Sequence, residues 1–393
     1  KAVEGLLPTG EKYVTTVKPN LMSAFSSDNG AYSTPLETFE LNKYGVFGNF
    51  YQSLITHVGA NEDRDYYPAW LEHQLRLGRG AARERRGSID LYIRDLPSKD
   101  EKLLVERLRE SVDTTLCDHS CLQYTQDIVS AIASNTSIVS VLAYCEATCC
   151  RCNLFSALAA RSTDITRLDV VGGICFDSTD IIADYCVRSL KKLSMTTADS
   201  SSEMDGFSVN VICEAVANFG ILEVLDIGNV AGGEGEPWAD GLLFALHTCP
   251  IMSLRINETA FDEECLQGMV RVMPLLQAHD VKITNCDFGD WGKPVFDALF
   301  SNASICWLDV SFTKIGDESI DSLVEMVKRG TLTKLAIGSC GLGRKAVNKV
   351  LRATTYVDSK LSFISIFDND VQHPSVFDGM EHTSLKGIHM GEF

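Results

Sequence analysis

From Ile165 onward the chain repeats one phrase: apolar, two variable, apolar, one variable, apolar. It reads as Ile165–Leu168–Val170, Leu190–Leu193–Met195, Leu222–Leu225–Ile227 and Ile251–Leu254–Ile256. It continues as Val281–Ile283, Ile305–Leu308–Val310, Leu332–Leu335–Ile337, Leu361–Ile364–Ile366 and Leu385–Ile388–Met390. The central positions 168, 193, 225, 254, 281, 308, 335, 364 and 388 are separated by 25, 32, 29, 27, 27, 27, 29 and 24 residues. Weaker copies extend backward, centred on Val141, Leu116 and Leu91. The Leu116 copy is the least regular, with Asp118 where an apolar residue is expected. Apolar residues two apart predict a short strand with one buried face. Between strands the period changes. Ser319–Gly330 places Ile320, Leu323, Val324 and Val327 on one helical stripe, with Gly330 placed to end it. Leu243 and Leu246, and the run from Val295 to Phe300, follow the same pattern. Each unit is therefore strand, turn and helix. A single unit cannot bury its own apolar face, so the units must stack.

A second regularity falls five residues after the central position, at Cys121, Thr259, Cys286, Thr313, Cys340 and Asn369. Small side chains that hydrogen-bond nearby backbone suit a turn out of a strand. The phrase, the turn residue and the helices together resemble the leucine-rich-repeat family, its ribonuclease-inhibitor-like class in particular, over about residues 89–393. The resemblance implies an α/β solenoid, a horseshoe with parallel strands on the concave face and helices on the convex face. The chain departs from the family in two ways. Gly173, Ala198 and Val230 occupy the turn position in three units, and an insertion near Thr196–Gly206 lengthens one repeat.

Residues 1–40 are rich in Ser, Thr, Gly and Pro and read as extended or irregular. Residues 41–88 read as a small helical N-terminal cap, with one helix over Tyr44–Val58 and a second over Tyr66–Leu77. A cap would cover the first apolar layer of the solenoid at 89–393.

Charge adds a constraint on partners. The net charge is -18. Acidic and basic residues balance over residues 1–88, so the whole excess lies in the repeats. An acidic surface repels phosphate backbones, which makes nucleic acid an unfavoured partner. The exception is a basic cluster at Arg76, Arg79, Arg83, Arg85 and Arg86, which reads as a solvated face or as a contact for an acidic partner or RNA. No run reaches the roughly 18–20 apolar residues of a membrane span, and Lys1–Thr16 lacks the apolar core of a secretory signal. The 14 cysteines are scattered along a long chain and often fill core positions. That usage suits reduced thiols in an intracellular, cytoplasmic protein, within a cytoskeletal or organellar assembly among other settings.

Chemistry-bearing motifs are sparse. Cys117, His119, Cys121, Cys145, Cys149, Cys150 and Cys152 gather in two adjacent units, but the CxxC spacing of Cys149 and Cys152 has no second CxxC to pair with, so structural thiols outweigh a zinc site. Ala231–Pro237 (AGGEGEP) carries two Glu and lacks the Lys and Ser/Thr of a phosphate loop. Gly341–Lys345 (GLGRK) sits at a strand-to-helix turn. No nucleophile or metalloprotease signature is present, and no carboxylate pair stands out as an acid/base couple. The sequence therefore predicts no enzyme activity, no cofactor, no metal and no small-molecule substrate.

On the implied concave face, side chains alternating with the buried ones are a polar mixture in the middle: Arg167, Asp169, Lys192, Asp226, Arg255, Asn257, Glu258, Lys282 and Thr284. Toward the C-terminus they become Trp307, Asp309, Phe312, Lys334, Ala336, Phe363 and Phe367. Exposed aromatic residues in a cluster mark a candidate contact surface. The expected partner-binding residues are Trp307, Asp309, Phe312, Phe363, Phe367, Arg255 and Lys282, although Phe312 and Phe367 could equally turn inward as core. The expected function is a scaffold or adaptor that holds one or more proteins in a multi-subunit complex. The alternative is a regulator of an enzyme, such as an inhibitor or GTPase activator of the same repeat class.

Overall fold

A computed structural model of the chain describes residues 3–6, 12–15, 88–91, 115–118, 124–145, 153–161, 164–174, 176–197, 204–231, 239–369 and 385–389, with a few positions between 102 and 109. The chain divides into two compact units, Lys1–Arg64 with Gly379–Glu381, and Asp65–Asp378 with His382–Phe393. In the first, β1 (Val3–Leu6) and β2 (Lys12–Thr15) pair as an antiparallel hairpin. The expected helical cap at 41–88 and its arginine cluster lie outside the described residues.

The second unit is built on one sheet of twelve strands that follow one another in chain order. They are β3 (Ser88–Leu91), β4 (Thr115–Asp118), β5 (Ser140–Cys145), β6 (Arg167–Gly172), β7 (Lys192–Thr196), β9 (Val224–Gly228), β11 (Ser253–Asn257), β12 (Asp280–Thr284), β13 (Trp307–Asp309), β14 (Lys334–Ala336), β15 (Phe363–Ser365) and β16 (Gly387–His389). Every pairing in this sheet is parallel. The two remaining strands, β8 (Met204–Asp205) and β10 (Val230–Ala231), form a small parallel pair outside it. They flank the lengthened repeat that the insertion predicts.

The register follows the sequence period. Leu168, Leu193, Leu225, Leu254, Val281, Leu308, Leu335, Ile364 and Ile388 stand opposite one another from strand to strand. Those from Leu168 to Ile364 are 0% exposed. Stacking removes each aliphatic from water at both neighbours, and truncating one such side chain to Ala costs about 2–5 kcal/mol. Leu116 belongs to the same column, opposite Ile89 and Val141 by register, and is fully buried. The first copy is two residues off the sequence reading: Ile89, not Leu91, is the rung opposite Leu116. Ile89 and Leu91 are two apart and fall on the same phase of the alternation, so the pattern accepts either as the rung and only the pairing selects one.

Nine helices are described in this unit: α1 (Gln126–Ser134), α2 (Leu154–Ala159), α3 (Phe176–Ile181), α4 (Gly206–Phe219), α5 (Asp240–Thr248), α6 (Glu263–Val272), α7 (Gly292–Ser301), α8 (Ile320–Lys328) and α9 (Arg344–Ala353). Each connects two strands of the sheet, as parallel pairing requires. Local sequence fixes their starts. The Asp205 carboxylate accepts from the Phe207 and Ser208 N–H groups, and Asp262 accepts from the Cys265 N–H at 2.7 Å. In α8 the buried face is Ile320, Leu323, Met326 and Val327, so the stripe is turned slightly from the expected one and Val324 is only half-buried. Gly330 ends this segment at φ 76°, where a β-carbon would stand 2.0 Å from the Asp358 carbonyl oxygen. The turn from α7 into β13 hangs on buried Asn302, which donates to the Met273 and Leu276 carbonyls and accepts from Ser304 and Ile305. These elements make an α/β repeat solenoid. No helix among the described residues is long and apolar enough to cross a membrane.

Candidate interaction surface

From β5 to β15 the sheet strands bury their second residue, and their fourth where they have one, and alternation directs the first and third to the open face. Register then lines up two outward columns. The first runs Arg167, Lys192, Val224, Ser253, Asp280, Trp307, Lys334, Phe363 and Gly387. The second runs Asp169, Ser194, Asp226, Arg255, Lys282, Asp309, Ala336, Ser365 and His389.

Between β6 and β9 these columns neutralise themselves. Asp169 is 7% exposed because two cations fold over it: Arg167 Nε at 2.5 Å and Lys192 Nζ at 3.3 Å. The sequence placed this carboxylate on an open polar face, and its cross-strand neighbours close it off. Asp226 is half-buried among Arg255, Lys192 and Lys282. Burial nevertheless holds its pKa above the ordinary carboxylate value. Arg255 reaches Asp280 at 3.9 Å, so this member of the expected site answers to its own sheet.

From β12 onward the face changes. Lys282 Nζ lies 4.0 Å and Lys334 Nζ 4.9 Å from the centroid of the Trp307 ring, so the indole holds two ammonium groups from the flanking strands. Burial and the Arg255 charge lower the pKa of Lys282, against the opposing pull of Asp280, Asp309 and Asp226. Asp309 is half-buried, and its carboxylate accepts from the Ser311 N–H at 3.0 Å. Phe363 is 41% exposed and Phe312 55% exposed, so neither is core. Phe312 packs on Phe367 at 5.4 Å between ring centroids, and Phe367 packs on His389 at 5.3 Å. The His389 ring is tied to Ser365 by a hydrogen bond between Nδ1 and Oγ at 2.8 Å. Gly338 makes the seat: a β-carbon there would stand 2.1 Å from the Phe367 ring.

The site thus unites Trp307, Asp309, Phe312, Phe363, Phe367 and Lys282, and leaves Arg255 at its margin. Sequence reasoning passed over Lys334, His389 and Gly338 as site members. The register would have found His389, since it continues the column of Lys282 and Asp309.

The turn beside the face carries a further signal. From Leu225 to Ile364 the residue four after each central position has a left-handed backbone: Asn229, Glu258, Asn285, Phe312, Ser339 and Asp368, with φ between 49° and 60°. There the N–H turns to the next repeat, as in Phe312 N–H to the Gly338 carbonyl at 2.8 Å and Ser339 N–H to Phe367 at 2.8 Å. Asn, Asp and Ser tolerate this conformation, whereas a bulky residue is strained in it by about 1–2 kcal/mol. Phe312 alone among the six puts an aromatic side chain there.

One residue further on, the small turn residues bond as the sequence implies. Thr313 Oγ1 donates to Ile283 O at 3.2 Å, Cys340 Sγ to Val310 O at 3.2 Å and Asn369 Nδ2 to Ile337 O at 2.7 Å. Thr313 Oγ1 and Asn369 Oδ1 in turn accept the N–H groups of Cys286 and Cys340. Burial raises the Cys286 and Cys340 pKa values to about 12, which keeps these thiols protonated and inert. Among the described residues no cluster of His, Cys, Asp or Glu is arranged to hold a metal. Of the cysteine-rich region, Cys117 and Cys145 lie in β4 and β5, while His119, Cys121, Cys149, Cys150 and Cys152 lie outside the described residues.

No protein-family model matches the chain. No curated protein matches it in sequence. Among solved structures, it is similar to a chain in the crystal structure of the Rad7 and Elc1 complex in yeast, with a TM-score of 0.42, 10% identity, and coverage of 95% of this chain and 98% of that one. It is also similar to a Bacteroides fragilis protein, with a TM-score of 0.36, 12% identity and coverage of 85% of each chain.

Proposed function

We propose that this chain is a non-catalytic scaffold or adaptor, a leucine-rich-repeat solenoid of the ribonuclease-inhibitor-like class, curved into a horseshoe. Its open sheet face, concave in that form, binds a protein partner within a larger assembly. The protein works inside the cell with its thiols reduced and needs no cofactor. The partner site is the C-terminal part of the face: Trp307, Phe312, Phe363 and Phe367 as anchors, with Lys282, Asp309 and Arg255 around them.

The observation that carries this reading is Phe312. Folding alone favours Asn, Asp, Ser or Gly at its turn position, and an exposed phenyl ring gains little from burial in return. A strained, solvent-facing aromatic residue that builds a cluster with Phe367 suits a role outside folding. Capture of partners from the native source on the immobilised chain, followed by mass spectrometry, tests it. The Trp307→Ala, Phe363→Ala double variant should lose the partners that the parent chain retains. Equal recovery by both proteins overturns the assignment of the face.

A further inference from the structure

The two ammonium groups over Trp307 specify more than a protein surface. Lys282 and Lys334 converge on one indole from the strands on either side of it, at 4.0 and 4.9 Å from its centroid. Neither lysine forms an ion pair within 4.0 Å among the described residues, whereas Lys192, two strands back from Arg255, sits 3.3 Å from Asp169. The carboxylates nearest by register act on Lys282 from beyond ion-pair distance. Asp280 faces Arg255 at 3.9 Å, and Asp309 accepts from the Ser311 N–H. A chain whose net charge is -18 therefore places, at the aromatic part of its face, two ammonium groups that lack a close ion-pair partner among the described residues. An incoming carboxylate would pair with either ammonium group beside the indole and leave the ring edge for an apolar contact.

We infer that the occupant of this face is an acidic peptide segment of a partner protein, with carboxylates paired to Lys282 and Lys334 beside Trp307 and a neighbouring apolar side chain on Phe363 or the Phe312–Phe367 pair. The inference rests on the scaffold reading and narrows it to one partner chemistry. Charge separates this occupant from its rivals. A basic segment would face two like charges at the indole. A nucleic acid could use the same two lysines, but its remaining phosphates would meet a strongly acidic chain.

The test is selection of a random 16-residue peptide library, displayed on phage, against the full chain. The selected pool should be enriched in Asp and Glu beside an aromatic or large aliphatic residue. Representative peptides should weaken about tenfold in a Lys282→Gln, Lys334→Gln variant and further as salt is raised. They should also weaken in a Phe363→Ala variant. A pool that depends on Phe363 but shows no acidic bias, or binds the Gln variant equally, overturns the carboxylate clasp and leaves the protein-binding face standing. A pool indifferent to both variants overturns the clasp and the face together. A single-stranded oligonucleotide that binds the parent in a Lys282- and Lys334-dependent way, where acidic peptides do not, assigns the lysines to phosphate and also overturns it. The circular dichroism spectrum of the Gln variant should match the parent, and its stability should change by no more than the roughly 1 kcal/mol scale of the two lost cation–π contacts.

Discussion

Two stretches of one sheet face use the same columns in opposite ways. Between β6 and β9 the outward charges are consumed by their neighbours, with Asp169 covered by Arg167 and Lys192 and Asp226 set among three cations. Between β12 and β16 the same columns hold Trp307, Phe363 and His389, flanked by Phe312 and Phe367, with two ammonium groups directed at an indole instead of a carboxylate. Backbone geometry is common to both. What differs is whether the side chains complete one another, and only the second stretch leaves apolar area and hydrogen-bonding capacity for another molecule.

Double replacement of Trp307 and Phe363 by Ala is the strongest way to break this contrast. Partner affinity should fall about a hundredfold or more, as for loss of two anchor aromatics. Stability should change by only about 1 kcal/mol, the scale of the lost cation–π contacts. Binding by titration and unfolding by denaturant measure the two effects separately. The mirror experiment is Asp169→Ala. It strands Arg167 and Lys192 beside a buried position and should cost about 2 kcal/mol of stability, below the loss for a fully buried pair because both cations remain partly exposed. Partner affinity should not move. An Asp169 variant that binds poorly while folding normally would erase the division between the two stretches.

Much of this was readable before any coordinates. The period placed Leu168 through Ile388 in one column, and alternation then set Trp307, Phe363 and Lys282 on the open face. Ile89 is not legible as the rung because Leu91, two residues on, satisfies the same alternation, and only pairing with Leu116 chooses between them. Asp169 was expected to be open, but its burial depends on Lys192 one repeat away. Phe312 was undecided between core and surface because it lies in the turn, where alternation no longer predicts direction. Its left-handed backbone is a property of the repeat, visible once Asn229, Asn285 and Asp368 are aligned with it.

Phe312→Asn sharpens the comparison further, because it separates folding from binding at one residue. Relief of the left-handed strain should raise stability by about 1 kcal/mol, read from the unfolding midpoint. Loss of the ring from the Phe312–Phe367 pair should weaken the partner about tenfold. A variant that is less stable than the parent would mean that the ring serves the fold, and the β12–β16 stretch would then differ less from β6–β9 than its exposure implies.

The smallest effect belongs to Asp226→Asn, and its sign is specific. Burial raises the Asp226 pKa in the folded chain, in spite of Arg255, Lys192 and Lys282. A carboxyl whose folded pKa lies above its unfolded one binds its proton more tightly when folded. It is therefore neutral to stability below the unfolded pKa and becomes a penalty as the pH rises through the folded pKa. Asparagine keeps the shape of the protonated form at every pH. The variant should accordingly be slightly more stable than the parent at neutral pH, and the difference should shrink as the pH falls toward the ordinary carboxylate range near about 3.9. Unfolding midpoints measured across that window check it. A variant less stable at neutral pH would show that the three cations outweigh burial at Asp226, and that the β6–β9 stretch is held together by its charges and does not merely tolerate them.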